Sequence, residues 1–396
     1  MKIKVLHLIK SLGRGGAEKL IPETALVHNQ SRFEFHCLYF YHQKENIADE
    51  LEAAGIQVHL IPSGNLGLFF QVNKVRDFIK KNEFDIIHAH LPWAGILARF
   101  VGSKLNIPIV YTEHNTWDRY NKLSYWGNRL TFKKQDVAIA VSNEVVLSMQ
   151  LNSIIDPYQR GGRMKVKVVQ NGVNTEVFRK YEIRNEKLEI KSSIPSSKNS
   201  DLKSILDIPK DSKVIGKVAV FRDQKRLWLW VEIAIRILKK NPEVHFLLVG
   251  DGEWRFKLEE QISKSGLIEN FHLVGVKKDV IPYLNIMDIY LSSSEFEGLP
   301  IAMLEAMACE VPVVATRAGG IGEVIQHGKQ GFICEVNDWE ELEDFCLKIL
   351  AENDLHRSMS LAARQQVLEK FSMKKMVGEL EQVYNSVFLK LSKQIC

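Results

Sequence analysis

Short apolar runs rich in β-branched residues recur along the chain, and longer stretches with helical spacing separate most of them. The first run, Ile3–Ile9, predicts a strand, followed by a glycine-rich turn and a helix from about Ala17. Further strands are predicted at Phe35–Phe40, Val58–Ile61, Asp85–His88, Ile109–Thr112, Val137–Val141 and Val166–Val169. A second series places strands at Val214–Val220, His245–Val249, Phe271–Val274, Ile289–Ser292 and Val311–Ala315. Its helices are predicted near Leu227–Lys239, Trp254–Ser263, Pro300–Ala308 and Trp339–Glu352, and a final helix from about Lys374 to Leu391. Strands alternating with helices imply parallel sheets covered on both faces. A polar stretch rich in serine and lysine, residues 179–212, reads as a linker or surface excursion. The domains are therefore expected at 1–178 and 213–373. Open α/β sheets bind ligands outside the carboxyl ends of their strands. Two such sheets in tandem can turn those ends toward a common cleft, as a two-substrate enzyme or a closing binding protein would.

Composition narrows the class. The 396 residues are 45% hydrophobic and 26% charged, as in a globular protein, and 11 prolines are too few for a largely disordered chain. The five cysteines are scattered without a C-x-x-C pair, which argues against a disulfide framework or zinc site and fits a reducing cytosol. The stretch Met1 to Gly16 is a poor secretory signal, and no run of 18 apolar residues occurs. The expected location is the cytoplasm.

The net charge of +5 is unevenly placed: residues 1–200 carry 28 Lys and Arg against 19 Asp and Glu, and residues 201–396 carry 25 against 29. A basic half suits an anionic partner such as a lipid phosphate or membrane surface; the alternative is a solvated surface with excess lysine. The stretch 119–134 interleaves cations with aromatics, which points to docking on the inner face of an anionic membrane. A surface helix with its aromatics in the core is the competing reading. No nucleic-acid module accompanies the stretch, so no nucleic-acid partner is expected.

Three motifs carry candidate chemistry. Gly13-Arg14-Gly15-Gly16-Ala17-Glu18 lies between the first strand and helix, where glycine admits close backbone approach and a helix N-terminus favours an anion. Its spacing is not G-x-G-x-x-G, so a nicotinamide site gains little support. Phe221-Arg222-Asp223-Gln224-Lys225-Arg226 sets three cations at a strand's carboxyl end, suited to neutralising a diphosphate or to forming a charged surface turn. The third is Glu297-Gly298-Leu299-Pro300-Ile301-Ala302-Met303-Leu304-Glu305. Here the first carboxylate is in a turn, Pro300 suits the first helical position, and Glu305 sits within an all-apolar and therefore buried helix. A buried carboxylate is costly unless paired or bound. The helix N-terminus between the two glutamates can hold a diphosphate, with a sugar on one side and a ribose on the other.

At this segment the sequence resembles the family-4 retaining glycosyltransferases of GT-B fold, whose signature is two glutamates separated by seven residues. Gly15-Gly16-Ala17-Glu18, Thr112-Glu113-His114-Asn115, Val141-Ser142-Asn143, Asn171-Gly172-Val173, Gly250-Asp251-Gly252 and Gly319-Gly320-Ile321-Gly322-Glu323 match in the family's order. The resemblance implies two doubly wound Rossmann-like domains facing across a cleft, with the last helix, about 374–396, returning to the first. It implies Glu297 at the transferred sugar, Glu305 on the ribose hydroxyls, and Lys225 on the diphosphate. It also implies the Leu299 and Ile301 N–H groups and Gly298 around the phosphates, Gly15 and Gly16 against a substrate, and His114 near the donor sugar. Val220 stands where the family has arginine, with Arg222 the candidate to compensate, and Pro300 removes one phosphate N–H donor.

The expected activity is retaining transfer from a nucleoside diphosphate sugar to a glycan or lipid-linked acceptor, in cell-surface polysaccharide or glycolipid synthesis, with no other cofactor. A GT-B-like epimerase and a non-catalytic sugar-nucleotide binder are the alternatives. No Asp-x-Asp occurs, and His88-Ala89-His90 offers a ligand pair with no evident third partner, so no metal is expected.

Overall fold

A computed structural model describes residues 2–43, 46–64, 67–102, 104–150, 165–181 and 198–395. The chain divides into two units: Met1–Asn171 with Met373–Cys396, and Gly172–Ser372.

The first unit begins with β1 (Ile3–Leu8), α1 (Gly16–Ala25), β2 (Phe33–Tyr39), α2 (Ala48–Ala53), β3 (Gln57–Leu60) and α3 (Val72–Asn82). It continues with β4 (Ile86–His90), α4 (Leu91–Gly102), β5 (Ile109–Glu113), α5 (Lys122–Thr131), β6 (Val137–Ala140), α6 (Asn143–Gln150) and β7 (Lys165–Val168). These strands form one sheet in the order β3-β2-β1-β4-β5-β6-β7. Every pairing in it is parallel.

The second unit contains α7 (Lys198–Ile205), β8 (Val214–Val218), α8 (Leu227–Lys240), β9 (His245–Val249), α9 (Arg255–Ser265), β10 (Phe271–Leu273) and α10 (Ile281–Ile286). Then come β11 (Ile289–Ser292), α11 (Ile301–Ala308), β12 (Val313–Thr316), α12 (Ile321–Val324), β13 (Gly331–Cys334), α13 (Glu341–Ala351) and α14 (Asn353–Lys370). Its parallel sheet runs β10-β9-β8-β11-β12-β13.

In both sheets the order reverses beside the first strand, between β1 and β4 and between β8 and β11. Those switch points open a crevice at the carboxyl ends of the strands. The inner strands of both sheets are buried on both faces and read as near-continuous apolar runs, whereas the edge strands β3 and β7 are partly exposed. Trp230 anchors the second core; it is fully buried, and its indole N–H donates to the Leu291 carbonyl at 3.1 Å, so its one polar atom is satisfied.

The last helix, α15 (Met373–Ile395), packs on the first unit. Met376, Val377, Leu380, Val383, Tyr384 and Val387 are buried, a stripe of helical period. Glu381 accepts from the Asn29 N–H at 2.8 Å and contacts His28 Nδ1 at 3.0 Å.

Several details depart from the sequence reading. Neither β13 nor α14 was anticipated. The strand β13 is four residues bounded by Gly331, without a β-branched run, and α14 buries only Met359, Ser360, Ala363 and Val367. Pro300 is the N-cap of α11 rather than its first residue, and the helix begins at Ile301. The polar stretch 179–212 contains α7, while 182–197 lie outside the described residues.

Candidate active site

In the second unit the switch point brings two loops together. One leaves β8 as a single 3-10 turn, Asp223–Lys225; the other leaves β11 and carries Glu297. The ammonium of Lys225 lies 2.7 Å from both oxygens of Glu297. Ser294 donates to Glu297 Oε1 at 2.8 Å. The carboxylate is only 7% exposed. Burial pushes its carboxyl up, but the charges of Lys225 and Lys217 and the hydrogen bonds from Lys225 and Ser294 outweigh that, holding it below the ordinary carboxylate value. Glu297 is therefore an anion, fixed by three hydrogen bonds from two partners, Lys225 and Ser294.

The loop is held to this shape by its neighbours. Gly319 has φ +59, and a Cβ there would stand 1.7 Å from the Glu297 carbonyl oxygen, so glycine alone lets the turn after β12 lie on the Glu297 backbone. Gly320 N–H then donates to the Gly298 carbonyl at 2.8 Å. Arg226 takes a left-handed backbone, φ 44, directly after Lys225. Its guanidinium donates to the Ser293 carbonyl at 2.9 Å and the Val336 carbonyl at 2.8 Å, and its own carbonyl accepts from Ser293 Oγ at 3.0 Å. Of the three cations in this motif, only Lys225 points at the carboxylate. Arg226 fastens the two loops, and Arg222 is exposed. Val220 brings no charge to the position where arginine was expected.

The helix α11 is buried along nearly its whole length, Glu305 included at 4% exposure. The charge of Glu305 is felt by Tyr290 and Cys309, whose pKa values burial first raises and Glu305 raises further. Arg364 on α14 donates to the Ala308 carbonyl at 2.5 Å, capping the C-terminal end of α11. Gly298 and Leu299 are buried in the turn ahead of the helix, and Ile301 opens it.

The remaining candidates belong to the first unit. Gly15 is the N-cap of α1, and Gly16 its first residue. A Cβ on Gly15 would lie 2.3 Å from Glu18 Oε2, so a side chain there would have to displace the Glu18 carboxylate, while no backbone stands in its way. His114 follows β5 and is half-buried; burial pushes its imidazole down to about 4. Its Nε2 lies 3.5 Å from His90 Nδ1.

His114 lines a cavity with His7, His88, His90, Thr112 and Tyr384. The parallel register pairs His7 with His88, and alternation brings His90 to the same face, so one nitrogen from each of these three falls within 4.8 Å of the others. The third partner that the His-x-His spacing lacked thus comes from β1. These nitrogens are already engaged: His7 Nδ1 with His90 Nε2 at 2.9 Å, and His88 with Tyr384 Oη and Thr112 Oγ1, each at 2.7 Å. Burial lowers His7 to about 3, His28 adding to it, and holds His88 and His90 well below their ordinary value.

Two residues that sequence reasoning did not single out shape these places. Glu113 is fully buried. It accepts from Tyr111 Oη at 2.8 Å, Trp117 Nε1 at 2.9 Å, Asn128 Nδ2 at 3.3 Å and the His114 N–H at 3.2 Å, and Tyr120 Oη also donates to it. It thereby ties the segment carrying His114 to α5. Lys217 is 1% exposed near the carboxyl end of β8, and its ammonium donates to Ser292 Oγ at 2.6 Å and Ser294 Oγ at 3.2 Å. The available signal was a lysine inside an otherwise apolar strand.

Tandem doubly wound sheets of this order, with the last helix returned to the first unit, are the GT-B architecture. The profile of the glycosyltransferase family 4 matches residues 14–177, and that of glycosyl transferases group 1 matches residues 198–366. The N-acetyl-alpha-D-glucosaminyl L-malate synthase of Bacillus anthracis is 27% identical over 326 residues, 80% of this chain and 78% of that protein. The UDP-Gal:alpha-D-GlcNAc-diphosphoundecaprenol alpha-1,3-galactosyltransferase of Escherichia coli is 27% identical over 77% of this chain and 76% of its own. Among solved structures, Anabaena HepE in complex with UDP and glucose superposes with a TM-score of 0.81 at 22% identity, covering 97% of this chain and 100% of that one. The chain belongs to the family-4 glycosyltransferases of GT-B fold.

Proposed function

We propose that this glycosyltransferase moves a sugar from a nucleoside diphosphate sugar to a glycan or lipid-linked acceptor, with retention at the anomeric carbon and without a bound metal. The observation that carries the reading is the Lys225–Glu297 pair at the switch point of the second sheet, beside the N-terminus of α11. An anionic carboxylate there can orient a sugar near its reacting end, and an ammonium at the same place can stabilise a departing diphosphate. Glu305, Gly298 and the backbone N–H groups of Leu299 and Ile301 are assigned to the nucleotide side, with Arg222 supplying charge in place of Val220. Gly15, Gly16 and His114 are assigned to substrate contacts of the first unit. Same-face attack, with the leaving diphosphate helping to take the acceptor's proton, is the favoured course, because the partners that hold the Glu297 carboxylate among the described residues are Lys225 and Ser294 rather than a second carboxyl group.

Among the relatives, the galactosyltransferase is named for a UDP-sugar donor and a diphosphoundecaprenol acceptor, which supports a lipid-linked acceptor; polysaccharide or glycolipid synthesis at the cytoplasmic face of the membrane is the role that goes with that reading. The helix α5 supports surface docking. Its buried residues are Ser124, Asn128, Arg129 and Thr131, while Leu123, Trp126 and Leu130 are 61%, 49% and 71% exposed along the other face. Exposed Lys122, Lys133 and Lys134 flank that apolar face, the layout of a helix lying in an anionic interface. Among the described residues no helix is long and apolar enough to cross a membrane.

The test is a thermal-shift screen over a panel of nucleotide sugars, then transfer with the donor that binds. Retention predicts an axial-to-axial or equatorial-to-equatorial outcome, read by NMR of the new glycoside. Transfer undiminished by chelator supports metal independence, and loss of transfer on chelation overturns it. Sedimentation with anionic vesicles at low salt tests docking; no binding there rejects it.

A further inference from the structure

Lys225 touches both oxygens of Glu297, yet the proposed chemistry also calls on it to meet a diphosphate. A single ammonium that turns toward phosphate gives up hydrogen bonds to the carboxylate. Glu297 is too buried to recover that loss from water, and an uncompensated buried carboxylate rises in pKa and swings or protonates.

A second cation is in place. Lys217 reaches from the central strand with its stem in the core and its ammonium on Ser292 and Ser294, and Ser294 passes the contact on to Glu297 Oε1. Nothing about Lys217 requires solvent access, and its partners are fixed: Ser292 ends β11, and the Ser294 carbonyl accepts from Thr316 Oγ1 at 2.5 Å. A lysine here, in a strand position suited to an apolar side chain, is costly unless it serves a charge nearby.

We propose that Lys217 is a positioning residue that acts through Ser294 as the standing counter-ion of Glu297, keeping the carboxylate ionised and aimed when Lys225 engages the donor diphosphate. The two lysines thus divide the work. Lys225 moves between carboxylate and phosphate, whereas Lys217 stays. Lys217 also supplies positive charge three residues ahead of Val220 on the same stretch of chain, without touching the donor. This rests on the donor-site reading given above.

The experiment compares Lys217→Met, Ser294→Ala, the double variant and Lys225→Ala, measuring kcat, donor KM and the Kd of the nucleoside diphosphate by calorimetry. Lys217→Met keeps the volume of the stem, and circular dichroism verifies folding. The expected result is a kcat at least ten-fold lower for Lys217→Met and for Ser294→Ala, with nucleotide Kd within about two-fold of wild type. The double variant should be no more than about two-fold worse than Lys217→Met, because both act along one path, and Lys225→Ala should weaken nucleotide binding instead. A wild-type kcat in Lys217→Met, or a double variant whose losses multiply, overturns the proposal. Wild-type protein that turns over no nucleotide sugar would reject the donor-site reading. The counter-ion role is then decided by urea unfolding at pH 6: Glu297→Gln should cost less stability in the Lys217→Met background than in wild type, and an equal cost in both backgrounds rejects it.

Discussion

Removing the charge of Glu297 should destabilise the second unit in a way that depends on pH, through Lys217. Burial pushes the Lys217 ammonium from its ordinary 10.5 down to about 7, with Glu297 opposing the shift and Lys225 and Arg226 adding to it. A base with a lowered folded pKa loses stability as pH falls from the unfolded value to the folded one, and is level below that. At about 1.4 kcal/mol per unit, the burial of Lys217 costs about 4–5 kcal/mol at pH 7 and below, and nothing above pH 10.5. In Glu297→Gln the folded value falls further, so the loss continues where wild type is level. The extra cost should vanish toward pH 8.5, stay below about 0.5 kcal/mol at pH 7, and grow below that by at most about 1.4 kcal/mol per pH unit until the variant's own lowered value is reached. The lost Lys225 contact adds an offset of about 1–2 kcal/mol that does not vary over this range, because Lys225 is 17% exposed and regains water. Urea unfolding of both proteins from pH 5 to 8.5 reads the difference, and Glu297→Gln with Lys217→Met should remove its slope. A stability difference that is constant with pH, or that widens toward pH 8.5, refutes the reasoning.

Three further outcomes follow from the first unit and from α11. His7, His88 and His90 must stay neutral when folded but protonate near their ordinary value when unfolded, so stability is full above pH 6.5 and is lost as pH falls. The slope should approach about 4 kcal/mol per pH unit below pH 6, and a calorimetric melting temperature that is flat from pH 7 to 5 would contradict the buried cluster. Glu113→Ala should cost about 3–5 kcal/mol, since it takes the acceptor from five donors and the opposite charge from buried Arg99, and should loosen His114; a loss under 1 kcal/mol in urea unfolding would mean the network is dispensable. Arg364→Met should lower the melting temperature through the lost bonds to the Thr175, Phe178 and Ala308 carbonyls, by about 2–3 kcal/mol in urea, with nucleotide affinity falling as α11 shifts; an unchanged unfolding midpoint would reject this bracing role.

The strands were legible because the inner strands of parallel sheets, buried on both faces, leave continuous apolar runs: β9 and β11 lie where the pattern placed them, and the other anticipated strands shift by one or two residues at an end. What failed had a physical cause. The strand β13 is short and glycine-bounded, and α14 contacts the core through a narrow stripe with small residues Ser360 and Ala363. Local spacing also says nothing about register. His88 and His90 could be read as one face, but His7 joins them only because β1 pairs with β4 with His7 opposite His88. The same holds in the second unit. Glu297 and Lys225 were recognisable as separate motifs, whereas their direct contact and the Lys217–Ser294 link depend on β8 lying beside β11. Arg226 read as a third phosphate cation because its left-handed backbone and its two carbonyl acceptors are properties of the folded loop.

The most direct test of the active-site assignment is sugar transfer by wild type and Glu297→Gln with the same bound donor, measured by mass spectrometry and NMR of the product at pH 8, where the variant is expected to be folded. Wild type should form a glycoside with retained anomeric configuration, and Glu297→Gln should fall by at least a hundred-fold in kcat while still binding the nucleoside diphosphate. Wild-type turnover in Glu297→Gln, or a product of inverted configuration, would contradict the assignment.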